Sequence, residues 1–425
     1  MDIKLKKINN FTQELTCSVP WEEIQDSFKD EFNKVKSNHT PNGGRKGKVF
    51  GRDLELFKKN YGSAIEANFA EKSLNVYYQK ALQEKKLNPI NQAQVSNLDF
   101  SEGNQLLFSL SFEIVPEIKL PNYEKKFKVK MTRYKQTDED VNHALEELRQ
   151  QHSNLKTIDD GAKSDNFIMG DFQELDENDI PIIGKKLEKQ YIKLGVGAFT
   201  GSTEKELLGA KPNDKRKVTV DYGEDKKSRY ELHIHKVEEQ ILPELDDELA
   251  KTVSPDLKTL SDLKKQLIDN IQKSIDDDYE KRKREELITY FVTKSKFDAP
   301  ESMIERYLDK FIEEQMKKNK NLDKDKLKEE SKDIAEFNVK WFIIKDSLVE
   351  KSEVSVSNKD IDSEIKKMID EGADEKKKIL DFFGDEQNRQ SLSSNLLNEK
   401  LFEHISSFAT IKDTEKSTAD LRKQQ

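Results

Sequence analysis

Thr40–Tyr61 reads TPNGGRKGKVFGRDLELFKKNY, and the rest of the chain is best understood outward from it. Its centre is Gly43-Gly44-Arg45-Lys46-Gly47-Lys48. Three glycines this close together release the backbone for positive φ and a tight turn. Arg45, Lys46 and Lys48 are left standing at the tip. From Lys36 to Tyr61 the cations are Lys36, Arg45, Lys46, Lys48, Arg52, Lys58 and Lys59, against Asp53 and Glu55 alone. The whole chain is net −9, so this loop runs against its background. A local basic tip on an acidic protein is a docking point for phosphate or an acidic surface. A nucleotide-cradling loop is spelled G-x-x-x-x-G-K-[ST]. Counting back from Gly47-Lys48, the first glycine position holds Asn42 and the hydroxyl position holds Val49, so no nucleotide site is read here. The plainer alternative is a solvated turn between two helices.

The composition bounds the possibilities. At 425 residues the chain has room for two to four domains. Charged residues make up 37% and hydrophobic residues 34%, so each core is expected to be thin and much of the surface elongated. The single cysteine, Cys17, excludes an intramolecular disulfide and favours a cytoplasmic setting. It lies in the apolar run Leu15–Val19 and reads as a small buried filler. There is no apolar run long enough to span a membrane and no secretory leader in MDIKLKKINN. No CxxC or HExxH occurs. His233 and His235 alternate in an expected strand and share a face. With no further ligand visible, a surface pair outweighs a metal site, and neither metal nor cofactor is expected.

Along residues 1–115 an N-terminal strand region turns at Asn9-Asn10 and ends at Pro20. Trp21, Ile24, Phe28, Phe32 and Val35 then have helical spacing. A second helix follows the glycine loop (42–49) and stops before Pro89. Residues 93–115 read as a strand pair around Gly103, with Leu106, Phe108, Leu110, Phe112 and Ile114 in strict alternation. Residues 116–157 begin as an extended Pro116/Pro121 linker and enter a helix at a capping-box-like Thr137–Val141. Residues 158–239 change to short strands, Phe167–Phe172, Lys189–Leu194, Arg216–Asp221 and Arg229–Val237, with one helical turn at Thr203–Leu208. From Ile241 through 412 the chain is expected to be helical. Thr259-x-x-Asp262 caps a long helix, Pro300 opens another, and Ser357 starts a further one that Gly372 breaks. Residues 413–425 are polar and expected to be disordered.

Several of these stretches resemble the trigger factors, ribosome-associated bacterial chaperones. Their Gly-Phe-Arg-x-Gly-Lys signature is matched by Gly43–Lys48, followed by Tyr61-Gly62; Gly44 replaces the usual Phe and Val49 the usual Pro. Phe112–Tyr123, Ile241–Lys251 and Phe297–Arg306 are close to the family's wording, and the resemblance covers about residues 1 to 410. The 158–239 region is similar to an FK506-binding-protein-like prolyl isomerase through Asp171-Phe172, Leu194-Gly195, Phe199, Glu204 and Leu208-Gly209.

The resemblance implies a multidomain α+β architecture. It comprises an α+β ribosome-binding domain, an FKBP-like antiparallel β domain with a short helix, and an elongated all-α chaperone domain. It implies an ATP-independent chaperone of nascent chains during folding and export. The large ribosomal subunit, ribosomal protein and rRNA, is contacted at the nascent-chain exit through Gly43, Gly44, Arg45, Lys46, Gly47 and Lys48. No membrane or nucleotide partner is implied. It also implies a peptidyl-prolyl cis-trans isomerase pocket walled by Phe172, Phe199, Tyr222 and Tyr230, with Asp171. The family's Phe-Ile-Pro-Gly-Phe-Glu reads Phe199-Thr200-Gly201-Ser202-Thr203-Glu204 here, and the flap after Tyr222 is short and charged. The isomerase fold is therefore expected with weak or absent activity. The same aromatics also fit the plain core of a small sheet domain. Prolyl isomerisation as the main activity, and a non-ribosomal helical scaffold or holdase, remain as alternatives.

Overall fold

The structure is a computed structural model. It describes residues 1–425 except 223–226, 321, 372–374 and 423–425. The expected flap and the expected break at Gly372 therefore fall outside the described residues, apart from the flap's end at 227–228. The chain separates into two compact units. One contains residues 1–131 and 282–412; the other contains 132–281 and 413 onward.

The first unit opens with a four-stranded antiparallel sheet, β1 (Asp2–Lys7), β2 (Thr12–Val19), β3 (Gln94–Asp99) and β4 (Leu106–Glu113), in the order β1-β2-β4-β3. β2 and β4 bury every second residue, because successive side chains of a strand face opposite ways. Leu15, Cys17, Val19, Leu106, Phe108, Leu110 and Phe112 thereby form one apolar face. Two helices complete this core, α1 (Trp21–Asn38) through Ile24 and Phe28, and α2 (Arg52–Lys85) through Phe57, Ile65, Phe69 and Leu74. Burial pushes the Cys17 thiol up to about 11, with Glu84 and Asp2 adding to the effect, so it is an inert filler.

The exit from this sheet is extended as far as a single 3-10 turn at Tyr123–Lys125, then forms β5 (Phe127–Lys135). Tyr123 is wholly buried against Phe291 and Phe408, at ring distances of 5.4 and 5.7 Å.

In the second unit, α3 (Asp138–Gln151) starts at the expected capping box, with the Thr137 N–H donating to Asp140 Oδ2 at 2.7 Å. A five-stranded sheet follows, made of β6 (Asn154–Thr157), β7 (Phe167–Leu175), β8 (Pro181–Lys193), β9 (Lys215–Asp221) and β10 (Lys227–Ile241). The order is β6-β10-β7-β8, and β9 pairs with another stretch of β10. The short helix α4 (Gly201–Leu207) packs Leu207 onto Ile192, Val218, Val220, Leu232 and Ile234.

Helix resumes later than the sequence suggested. Ile241 still belongs to β10, and α5 (Asp247–Val253) is capped by Asp246, which accepts from the Glu248 and Leu249 N–H groups. The long α6 (Leu260–Lys294) has its Thr259/Asp262 box in place. Then come α7 (Glu301–Lys318), α8 (Lys324–Glu330), α9 (Lys332–Ser352), α10 (Asn358–Glu371), α11 (Lys376–Phe382) and α12 (Glu386–Phe408). α7 packs on α9 through Leu308, Ile312 and Ala335.

The tail departs from the expected disorder over 413–422: β11 (Ala409–Ser417) pairs with β5, and α13 (Ala419–Arg422) follows. Polar contacts rather than an apolar stripe hold it. Tyr279 Oη donates to Asp413 at 2.8 Å, Lys135 pairs with Glu415 at 2.7 Å, and the Thr418 N–H donates to Lys135 O at 3.1 Å.

Candidate functional site

The basic loop leaves α1 at Asn38 and returns at α2. Gly43 and Gly47 adopt φ of +76° and +75°, a region that L side chains rarely enter. Backbone bonds alone close the turn: Gly44 N–H to Pro41 O at 2.9 Å, Gly47 N–H to His39 O at 2.8 Å, and Lys48 N–H to Arg45 O at 3.0 Å. A Cβ on Gly47 would lie 3.0 Å from Ser37 O, so this glycine also permits the close approach of loop and helix end.

Arg45, Lys46 and Lys48 are exposed, and among the described residues none is held by an ion pair. Pro41 and Val49 are buried and anchor the loop's two ends. His39 lies tilted against Phe57 and edge-on to Tyr61, each 5.1 Å between rings, and so fastens the loop to α2.

A residue the sequence reading passed over stands beside the tip. Phe50 is 65% exposed, with Lys36 Nζ 5.8 Å from its ring centre. Its position directly after Val49 was the available signal, but it falls outside the helical stripe that begins at Leu54. Gly44 itself has no room for an aromatic in this turn, since a Cβ there would sit 2.5 Å from Pro41 Cγ.

A second feature of the same unit lies on the helices. Met303, Tyr307, Val339, Trp341 and Phe342 line an open apolar groove of about 490 Å³, bordered by Arg306, Lys310 and Lys345. Phe342 is 51% exposed and Tyr307 37% exposed. Large apolar side chains left open within a charged surround mark an interaction surface.

In the second unit the structure brings four of the expected aromatics together. Phe172 lies 5.9 Å from Phe199 and 5.8 Å from Tyr230, both edge-on, and the Tyr222 and Tyr230 hydroxyls are 3.1 Å apart. Burial, then the shared hydrogen bond, pushes the Tyr222 phenol up to about 12, and either hydroxyl of the pair can donate to the other. Phe172 is 5% exposed and mostly core, whereas Tyr222 is an open edge. Thr203 is buried, with its hydroxyl donating to Thr219 O at 2.6 Å, and offers no wall to a pocket. Thr200 precedes α4 without a side-chain cap bond, its hydroxyl donating instead to Gly197 O at 3.2 Å.

Asp171 does not join this cluster. It precedes Phe172 in β7 and therefore faces the other way. There it accepts from the Lys189 N–H at 2.9 Å and pairs with His235 at 2.9 Å and Lys186 at 3.2 Å. The backbone N–H of Lys189, then His235 and Lys186, hold its carboxyl well below the usual range.

Two family models match the chain. Residues 1–148 fit the bacterial trigger factor protein model, and residues 259–407 fit the trigger factor C-terminus model. A trigger factor from Bacillus mycoides is 27% identical over 87% of this chain and 91% of its own length. One from Bacillus subtilis is 27% identical over 87% and 92%. One from Geotalea daltonii is 23% identical over 99% of this chain and 100% of its own. A solved structure described as showing promiscuous substrate recognition by the trigger factor chaperone superposes with a TM-score of 0.57 at 19% identity. That match covers 95% of this chain and 99% of the other. Over nearly its whole length, in its two family matches and in its fold, this chain belongs to the trigger factor family.

Proposed function

We propose that this trigger factor docks on the large ribosomal subunit through the Gly43–Lys48 loop and shelters nascent chains against the helical groove of α7 and α9. The observation that carries the docking role is the tip itself: three exposed cations, unpaired among the described residues, on a backbone-closed turn of a chain with net charge −9. Such a tip meets rRNA phosphate or an acidic ribosomal protein favourably. Phe50 adds apolar contact next to it. The groove offers weak apolar contact, and several weak contacts hold a chain through effective concentration. Release then follows when the client buries its own apolar surface, with no nucleotide step.

The division of labour follows the sequence: 1–115 for docking with loop 42–49, 116–157 as connector, 158–239 as the isomerase-like domain, and 240–412 for client binding. No helix among the described residues is long and apolar enough to cross a membrane, and we place the protein in the cytoplasm. The Phe172, Phe199, Tyr222 and Tyr230 cluster supports at most weak prolyl isomerase activity, because its most exposed member is a single edge tyrosine and Thr203 is sealed into the core.

Co-sedimentation tests the reading. The wild-type chain pellets with ribosomes and suppresses aggregation of an unfolded client. An Arg45→Ala, Lys46→Ala, Lys48→Ala variant keeps the second property and loses the first. Equal pelleting of both proteins would reduce the loop to a plain turn.

A further inference from the structure

The outer face of the β7–β10 pair carries a cluster that the chaperone reading leaves unused. His233 is the registered partner of Asp171 across the two strands. Past Ile234 the register slips by one residue, so His235 has no partner on β7. A bulge of this kind bends the strand and re-aims a side chain. Here Ile234 stays buried below the sheet while His235 turns onto Asp171, with Oδ1 2.9 Å from Nε2. The two imidazoles lie 5.0 Å apart at a steep angle. One ligand atom from each of Asp171, His233 and His235 lies within 4.8 Å of the others, and all three side chains are half-buried.

We propose that Asp171, His233 and His235 form a three-ligand site for a divalent first-row transition ion such as Zn²⁺.

Two imidazoles and one carboxylate suit zinc, nickel or copper, not the oxygen-preferring calcium and magnesium. Bonds of about 2.0–2.2 Å to a tetrahedral zinc require ligand atoms about 3.3–3.5 Å apart. The present spread, within 4.8 Å, has to close to that by side-chain rotation. The Lys189 N–H on Asp171 Oδ1 fixes the carboxylate from behind, as outer contacts commonly do for metal ligands.

Binding replaces two partners of Asp171. One is the His235 Nε2 contact at 2.9 Å. The other is the Lys186 ammonium, 3.2 Å from Oδ2, which is also drawn to Glu188 at 2.8 Å and is free to swing there. Lys215, cross-strand from His233, already leans to Glu231 at 4.0 Å. Three protein ligands leave a coordination position open for water or for a donor from another chain.

Calorimetry of the full, untagged chain with Zn²⁺ tests the site. The expected result is one ion bound per chain, weakened at least about tenfold by either His233→Ala or His235→Ala. His233→Ala keeps the Asp171–His235 pair intact, so it separates loss of a ligand from loss of folding, and circular dichroism checks both variants. Lys186→Ala, which removes the competing ammonium, tightens binding, a gain that a chance pair of surface histidines would not show. Co²⁺ as a spectroscopic stand-in gives visible d–d absorption that His233→Ala abolishes. No binding by the folded wild-type chain at millimolar Zn²⁺, or the same affinity in both histidine variants, overturns the proposal.

Discussion

Replacing Arg45, Lys46 and Lys48 by alanine separates charge from shape at the loop. The turn is closed by three backbone hydrogen bonds and by positive φ at Gly43 and Gly47, and none of these uses the three side chains. They are exposed and make no ion pair among the described residues, so stability should change by no more than about 0.5 kcal/mol. Binding should change far more. Each neutralised phosphate contributes about 0.7–0.9 to the slope of log K against log salt, so three contacts contribute about 2.1–2.7. Over a fourfold rise in salt, that part of the slope amounts to about a 20- to 40-fold loss of affinity, which the variant no longer has to lose. The assay is ribosome co-sedimentation or fluorescence anisotropy across a salt series, with thermal unfolding run alongside. A variant as salt-sensitive as wild type, with an unchanged melting curve, would refute the claim that these cations meet phosphate.

Three further outcomes follow from particular contacts. Phe342→Ala removes an aromatic that is 51% exposed in the helical groove, so it should weaken suppression of client aggregation several-fold, while the melting temperature moves little. On a short X-Pro peptide the catalysed rate should be low, and Phe199→Ala should bring it to background; a fast wild-type rate would show that the exposed Tyr222 edge is enough. Asp360 is held at about 2, below its ordinary 3.8, first by the Ser357 N–H, then by the Ser357 hydroxyl and Lys400. A depressed carboxyl contributes stability that is present above its unfolded pKa and lost as pH falls through the folded one. The α10 cap should therefore weaken between about pH 4 and 2, and Asp360→Asn should flatten that limb of the melting temperature against pH.

What could be read from the sequence was whatever side-chain pattern decides. The alternation in Leu106–Phe112, the stripe from Trp21 through Phe28 and the glycines at 43 and 47 each have one physical solution, and the structure adopts it. The misses have the opposite character. The first half of β8 and all of β6 are exposed on both faces, and β11 spells a polar run, ATIKDTEKS. Backbone pairing and contacts such as Tyr279 to Asp413 hold them, and neither leaves a periodic trace. α8 is seven residues with one apolar side chain, Leu327, started by an Asp323 cap and too short for a stripe. Asp171 departs for a different reason: the resemblance carries Asp171-Phe172 over as one matched pair, although neighbours in a strand look opposite ways.

That last point explains how one sheet can carry two separate side-chain clusters. β10 supplies Tyr230 to the aromatic cluster, whereas His233 and His235 stand across from Asp171. In an unbroken strand the two sets would be locked to a period of two, and a histidine at 235 would be tied to a fixed partner on β7. The slipped register at 234–236 loosens that tie at the cost of one unpaired residue, and it leaves Leu232, Ile234 and Val237 in the core. The inner face can then drift toward a plain core, as Thr203 and the open Tyr222 edge indicate, without disturbing the outer one. Filling the slip should therefore be selective. Deleting His235 restores a regular ladder with Val237 still opposite Ile168 and Glu238 opposite Phe167, so it should leave the core in place while removing the contact to Asp171. His235→Ala keeps the slip and the core, and should leave the fold intact while removing only the outer-face contact to Asp171.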